Sequence, residues 1–462
     1  MFFFHKFPFS NPHNDNDTAG HNMRHSSSSG SATEAGSSQL RLEGPPDSLV
    51  MIANRSYHYY AGYAYLGLQS HPNVLAATCE ATLRYGTGTG TTRFALTAPP
   101  VLQVEQLATK YLCSHSAFYH GSDYLGPQIL LEILGDSIDR IFVDEAADQG
   151  IFQAVKSWQA KLRPIVFRHN DPDSLRLELR KHLKPSERPL VMTSGIFQKT
   201  GKIAPLDRYA MVLSPIDGAS LLVDDSHGFG VLGKYGRGVY EHYGLRSNLL
   251  NQTTQDASEA NFDGDFDGDF NNGFDGDFAI EATQDDWFQK TTNGGIDQEI
   301  MNRLPVQYYH SAAMTKAIGG NGGIIAGSEL FIERLMERST AFGNMAAPCS
   351  PLAAGTAEGM VMTFRTNDLR QKLRENTHYL KRKLSGMGIA TDSSDVPIVA
   401  ITLGAAGNMR RIQQRLSERG ILIAYIPRGP GLPNDGTLRI SIFATHTTEM
   451  LNHLVEQLWR VL

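Results

Sequence analysis

Asp224, Asp225 and His227 stand at the end of an apolar run, Leu221-Leu222-Val223, and glycines follow at Gly228 and Gly230. A run this apolar predicts a strand buried in a sheet, and open α/β sheets bind ligands just beyond the carboxyl ends of their strands. A carboxylate placed there can pair with a cationic heterocycle. An imidazole three residues on can stack on the same ligand or hydrogen-bond it. The competing interpretation is an Asp that caps the next helix beside a surface histidine. A second segment, Ser311-Ala312-Ala313-Met314-Thr315-Lys316-Ala317-Ile318-Gly319-Gly320-Asn321-Gly322-Gly323, sets one lysine among small and apolar residues. Desolvation makes such an amine a usable nucleophile, although many lysines in similar settings only reach back to water. The glycines would let backbone come close to a bulky ligand. A third segment, Tyr85-Gly86-Thr87-Gly88-Thr89-Gly90-Thr91-Thr92-Arg93, resembles a phosphate loop in composition. It follows a helical pattern rather than a strand and lacks the Gly-Lys-Ser/Thr ending, so neither nucleotide-loop motif holds.

The elements that must position these residues follow from periodicity. Ser70 is the expected N-cap of a helix that begins at His71-Pro72, carries Val74, Leu75, Cys79 and Leu83 at helical spacing, and stops at Gly86. Between 103 and 232, helical stretches alternate with short apolar runs at 141–143, 189–193 and 220–224, which predicts a mostly parallel α/β sheet. After 300, helical patterns at 328–340, 366–386, 409–419 and 447–461 enclose strands at 396–401 and 438–442, predicting a small α+β domain. The expected organisation is a disordered tail over 1–44, an N-terminal segment over 45–100, a large domain over 101–335 and a small C-terminal domain over 336–462. Residues 246–300 interrupt the large domain. Their centre repeats Phe, Asp and Gly from Phe262 to Phe270, and as a calcium loop starting at Asp263 it would present Phe274 where a bidentate Glu is needed. It reads as a flexible acidic insertion, and no metal site is expected.

The chain has 462 residues, a net charge of −6 and no apolar run near membrane-spanning length. Nothing there favours nucleic acid or an anionic membrane as partner, and the N-terminus, interrupted by Lys6 and Pro8, does not read as a signal peptide. Three scattered cysteines, Cys79, Cys113 and Cys349, argue for inert thiols in a reducing compartment, the cytoplasm.

In order along the chain, Tyr65-Leu66-Gly67-Leu68 with His71-Pro72, the Gly/Thr stretch ending at Arg93, and His169-Asn170-Asp171 are followed by three further motifs. These are Val223-Asp224-Asp225-Ser226-His227-Gly228, Thr315-Lys316-Ala317-Ile318-Gly319-Gly320, and Leu438-Arg439-Ile440-Ser441. Together they resemble the α-oxoamine synthases, enzymes of the pyridoxal 5'-phosphate (PLP) transferase fold type I. The resemblance covers about residues 50–245 and 301–462. It implies PLP as cofactor, held by Lys316 as a Schiff base, with Asp224 on the pyridine nitrogen and His227 on the ring's phenolic oxygen. It also implies Arg439 on the amino-acid carboxylate, Arg93 as a second substrate-binding arginine, and Gly121, Ser122 and Thr315 around the phosphate. The implied reaction condenses a small amino acid with an acyl-CoA, releasing CoA and CO2, in a homodimer. Two alternatives stay open: another PLP activity such as aminotransferase or aldolase, or an impaired partner protein of the same fold. The chain departs from the family pattern at Ala64, Asp148, Ser194, Gln198, Ala313 and Met345. Asp148 falls where the family stacks a histidine on the ring. These departures imply either a site rebuilt for an unusual substrate or weakened catalysis.

Overall fold

A computed structural model describes residues 40–158, 162–245, 305–365 and 367–462. The expectations for the tail over 1–39 and for the Phe-Asp-Gly insertion lie outside these residues. The N-terminal strands β1 (Leu49–Ile52) and β2 (Arg55–Tyr59) form an antiparallel hairpin. They lead to helix α1 (Pro72–Tyr85) and helix α2 (Pro99–Leu112). The large sheet is then laid down by β3 (Ser116–His120), β4 (Arg140–Asp144), β5 (Ile165–Phe167), β6 (Pro189–Ser194), β7 (Ser220–Asp224), β8 (Gln307–Ala313) and β9 (Gly323–Gly327). Between them come α3 (Gly126–Leu134), α4 (Gln149–Trp158), α5 (Pro172–His182) and α6 (Leu206–Leu213). The smaller C-terminal part adds β10 (Ile398–Ile401), β11 (Ile421–Leu422), β12 (Ala424–Ile426) and β13 (Thr437–Ser441).

In the large sheet the strand order is β3-β9-β8-β7-β6-β4-β5, and only β9 runs antiparallel to its neighbours among the described strands. The apolar runs predicted this sheet, and the two-residue side-chain period explains how it is packed. Ile141, Val143, Leu190, Met192 and Leu222 face α3 and α4, where they join Ile129, Ile133 and Ile151. Phe142, Val191, Leu221 and Val223 face the other way, onto Leu175, Leu179, Tyr209 and Leu213. Every residue of β6 and of β7 is buried, which is why these strands read as continuous apolar runs rather than alternating ones.

The glycine cluster after Lys316 builds the reversal that makes β9 antiparallel. Gly319 and Gly322 have φ near +70° and +75°, a region that favours glycine. Met314 N–H donates to the Gly322 carbonyl at 2.9 Å, closing the turn. The cap of α1 differs from the expected one. His71, not Ser70, accepts from Asn73 N–H, while the Ser70 hydroxyl donates to Asp47. Gly86 ends the helix as predicted.

The segment over 45–100 is not a separate layer. Strand β2 pairs in parallel with β11, so the first and last parts of the fold share one sheet. Beyond it, Ser441 N–H donates to the Tyr60 carbonyl and Ala444 N–H to the Tyr65 carbonyl. The chain from 60 to 65 is thereby held against the C-terminal part, whose core includes Tyr60, Tyr65, Leu438, Ile440 and Phe443.

Candidate active site

Strands β7 and β8 are parallel neighbours, with Asp224 opposite Ser311. Parallel register makes both strands end at one edge of the sheet. Asp224 closes β7 there, and Lys316 lies in the turn just past the end of β8. One ligand at that edge can therefore meet both side chains, as expected for open α/β sheets.

The two adjacent carboxylates have separate tasks. Asp225 is a structural centre: its Oδ2 accepts from Val239 N–H at 2.6 Å and lies 3.5 Å from His310 Nε2. Gly195, Gly228 and Gly238 crowd this carboxylate so closely that a β-carbon on any of them would strike it. Asp224 faces the site. Its Oδ1 accepts from the Ser226 N–H and hydroxyl, whereas Oδ2 accepts no hydrogen bond among the described residues. Burial, and then the charge of Asp148, push its carboxyl up to about 7. A cation beside Oδ2 would offset both effects.

His227 is buried, and its pKa is driven well below the usual imidazole range by burial first, then by Lys316 and Arg439. It is neutral at physiological pH. The buried Tyr65 hydroxyl, itself held protonated by burial, lies 2.8 Å from His227 Nδ1. With Tyr65 donating, the histidine carries its proton on Nε2 and can offer it to a ligand.

Lys316 Nζ is 3.1 Å from Asp123 Oδ2, and the Thr315 hydroxyl donates to the same oxygen at 2.8 Å. Gly121 and Ser122 lie in the turn from β3 to α3, where the helix N-terminus has no side-chain cap. Next to that turn, His120 Nε2 and Ser311 Oγ are buried without partners. Both face Gly126, whose missing β-carbon would sit 3.6 Å from the nitrogen and 3.0 Å from the oxygen. Amides at a helix start favour an anion.

Arg439, on β13, donates to the Tyr63 hydroxyl and to the Ala61 carbonyl. Tyr63 is the residue that sequence reasoning missed. Its ring centroid lies 4.4 Å from the Arg439 guanidinium carbon, 5.3 Å from Lys316 Nζ and 4.9 Å from the His227 ring. The density of tyrosines from Tyr57 to Tyr65 was the available signal. Arg93, expected to bind substrate, is committed elsewhere. It is 5% exposed, bonded to Glu105 at 2.6 and 3.0 Å and to the Tyr119 carbonyl, so its role is structural.

Lys316, the open oxygen of Asp224 and, in the tautomer that accepts from Tyr65, His227 Nε2–H fit PLP, whose aldehyde, pyridine nitrogen and phenolic oxygen need an amine, an anion and a donor. The uncapped helix start with the Gly126 cradle suits its phosphate.

Comparison with known proteins agrees with this chemistry. Residues 288–458 match the family "Aminotransferase class I and II". The 8-amino-7-oxononanoate synthase of Alkaliphilus metalliredigens is 25% identical over 417 residues, 90% of each chain. The 8-amino-7-oxononanoate synthase 1 of Bacillus velezensis is 28% identical over 393 residues, 85% of each chain. A serine palmitoyltransferase from Sphingomonas wittichii superposes with TM-score 0.71 at 21% identity, covering 90% of this chain and 89% of that one. The fold is therefore the PLP transferase fold type I. The motif order, the edge geometry and the relatives agree: along most of its length the chain is similar to the α-oxoamine synthases, PLP-dependent enzymes of this fold.

Proposed function

We propose that this protein is a PLP-dependent C-acyltransferase that joins a small amino acid to the acyl group of an acyl-CoA, with loss of CoA and CO2. The observation that carries this reading is the placement of Lys316 and Asp224 at one edge of the sheet by parallel strands, with Arg439 brought beside them through Tyr63.

Bound PLP supplies an electron sink for the electron pair left at the amino acid's α-carbon. The chain's residues do the rest. Lys316 would present the amine that holds the cofactor, and the same amine could move the α-proton. Asp224 Oδ2 would keep the ring nitrogen protonated, and His227 Nε2 would hold the ring oxygen. Arg439 offers a planar cation to the substrate carboxylate. The Tyr63 ring, between Lys316 and Arg439, forms a wall that favours a small side chain on the amino acid.

We further infer a homodimer, supported by Leu83, Phe94 and Leu96, which are 90%, 79% and 71% exposed. Free Cys79, Cys113 and Cys349 support a reducing compartment such as the cytoplasm. No helix among the described residues is long and apolar enough to cross a membrane.

The experiment is a thiol-release assay on the PLP-loaded protein with glycine, alanine or serine over a panel of acyl-CoAs. Thiol release that depends on both substrates is the expected result. Amino-group exchange with a 2-oxo acid and no thiol release would overturn the acyl-transfer reading in favour of an aminotransferase. Absence of both reactions would favour a protein without turnover.

A further inference from the structure

Three positions that depart from the family pattern are bonded to one another. Asp148 N–H donates to Ser194 Oγ at 2.9 Å, and Gln198 Nε2 donates to Asp148 Oδ1 at 3.0 Å. The chain of bonds continues, because the Tyr63 hydroxyl donates to Gln198 Oε1 at 2.6 Å and Arg439 donates to the Tyr63 oxygen. Independent loss of function at these positions gives no reason for their side chains to complement each other donor to acceptor. A site rebuilt as a unit does.

The chemistry of the groups fixes the direction of every link. A guanidinium has only donors, so the Tyr63 oxygen must accept from Arg439 and send its proton to Gln198 Oε1. Gln198 is then left with its NH2 for Asp148, which must accept. The relay runs from a cation to a carboxylate, and an acceptor at 148 is what orients it. Its two ends lie against different parts of the site. Ser194, which receives the Asp148 N–H, pairs in register with Asp224, whereas Arg439 belongs to the C-terminal sheet.

We propose that Asp148 is a positioning residue that acts through Gln198 and Tyr63 to hold Arg439 for the amino-acid carboxylate. This rests on the amino-acid-binding reading given above. Asp148 is buried, and burial raises its carboxyl above the usual range, while Gln198, Ser194, Lys199 and Lys316 pull the other way. Asp224, Tyr65 and Tyr124 also feel its charge. Amino-acid affinity therefore falls when the medium is acidic enough to protonate Asp148.

The test titrates PLP-loaded protein with glycine, alanine and serine and follows the change in cofactor absorbance, a binding signal that needs no turnover. Asp148→Leu, Gln198→Met and Tyr63→Phe are each expected to raise the amino-acid Kd roughly five- to tenfold. The double variant Asp148→Leu/Tyr63→Phe should be no weaker than the weaker single, because both break one relay. The wild-type Kd should rise on acidification, and this rise should be absent in Asp148→Leu. Gln198→Met cuts the middle of the relay while keeping the Asp148 carboxylate and the Tyr63 hydroxyl, so it tests the relay separately from any folding defect in the other two. A double variant whose loss is the product of the singles, or a Gln198→Met variant that binds like wild type, overturns the relay. If the wild-type protein gives no spectral response to any of the three amino acids, the functional reading itself fails, and the relay's purpose with it.

Discussion

Replacing Asp224 by Asn removes a carboxylate from a part of the site that is 6% exposed. In the folded protein without ligand its carboxyl is raised from 3.8 to about 7, by burial first and by Asp148 second. In the unfolded chain it returns to its ordinary value. Between pH 3.8 and about 7 the folded protein thus holds a proton that the unfolded chain has released. Unfolding free energy must then fall as pH rises across that window. Below it both states are protonated and nothing is lost; above it the penalty is complete. At about 1.36 kcal/mol for each tenfold, the full penalty is about 4 kcal/mol. Asparagine keeps an oxygen for Ser226 and carries no charge. Cofactor-stripped Asp224→Asn should therefore be more stable than stripped wild type near pH 8 by up to about 4 kcal/mol, with the gap closing near pH 4. Denaturant unfolding of both proteins across this range measures it. PLP loading should reverse the order, since its ring nitrogen gives the wild-type carboxylate a cation and the variant none. A gap that is absent near pH 8, or equal at all pH values, would refute the reasoning.

Three further outcomes follow from named contacts. Arg93→Met strands the Glu105 carboxylate in a buried pocket and should destabilise the protein by about 3–5 kcal/mol in denaturant melts, with the amino-acid Kd of the folded protein unchanged. Gly228→Ala drives a methyl group into Asp225 and should lower stability by about 1–3 kcal/mol, seen as a reduced Tm. Asp123→Asn frees Lys316 from a partly exposed ion pair. It should change stability by under about 1 kcal/mol while speeding imine formation with added PLP in stopped-flow absorbance.

Features written in local sequence were the legible ones. The apolar strand that ends in Asp224 and the lysine among small residues both announce themselves within ten residues. Gly86 as a helix stop is equally local. What failed depends on partners far along the chain. The Arg93 partner is Glu105, but the commitment is complete only because β3 brings the Tyr119 carbonyl beside the guanidinium. Tyr63 matters because Arg439, some 376 positions later, folds onto it. Asp225 could not be told from Asp224 without the three glycines that close around it. The departures at Asp148, Ser194 and Gln198 were visible one by one, yet their mutual bonding needed the turn after β6 to meet the turn before α4.

Strand β2 ends at Tyr59, and its partner β11 begins at Ile421. During synthesis at about 5–20 residues per second, the ribosome needs on the order of tens of seconds to deliver that partner. Throughout this interval β2 lacks its parallel partner and Tyr60 lacks its backbone bonds to Leu422 and Ser441, so the nascent chain carries an unpaired strand that chaperones can shelter. Loss of a few dozen residues from the end of the message would leave the segment orphaned for good. A nonsense mutation ahead of β11 should therefore yield aggregated product rather than a slow enzyme.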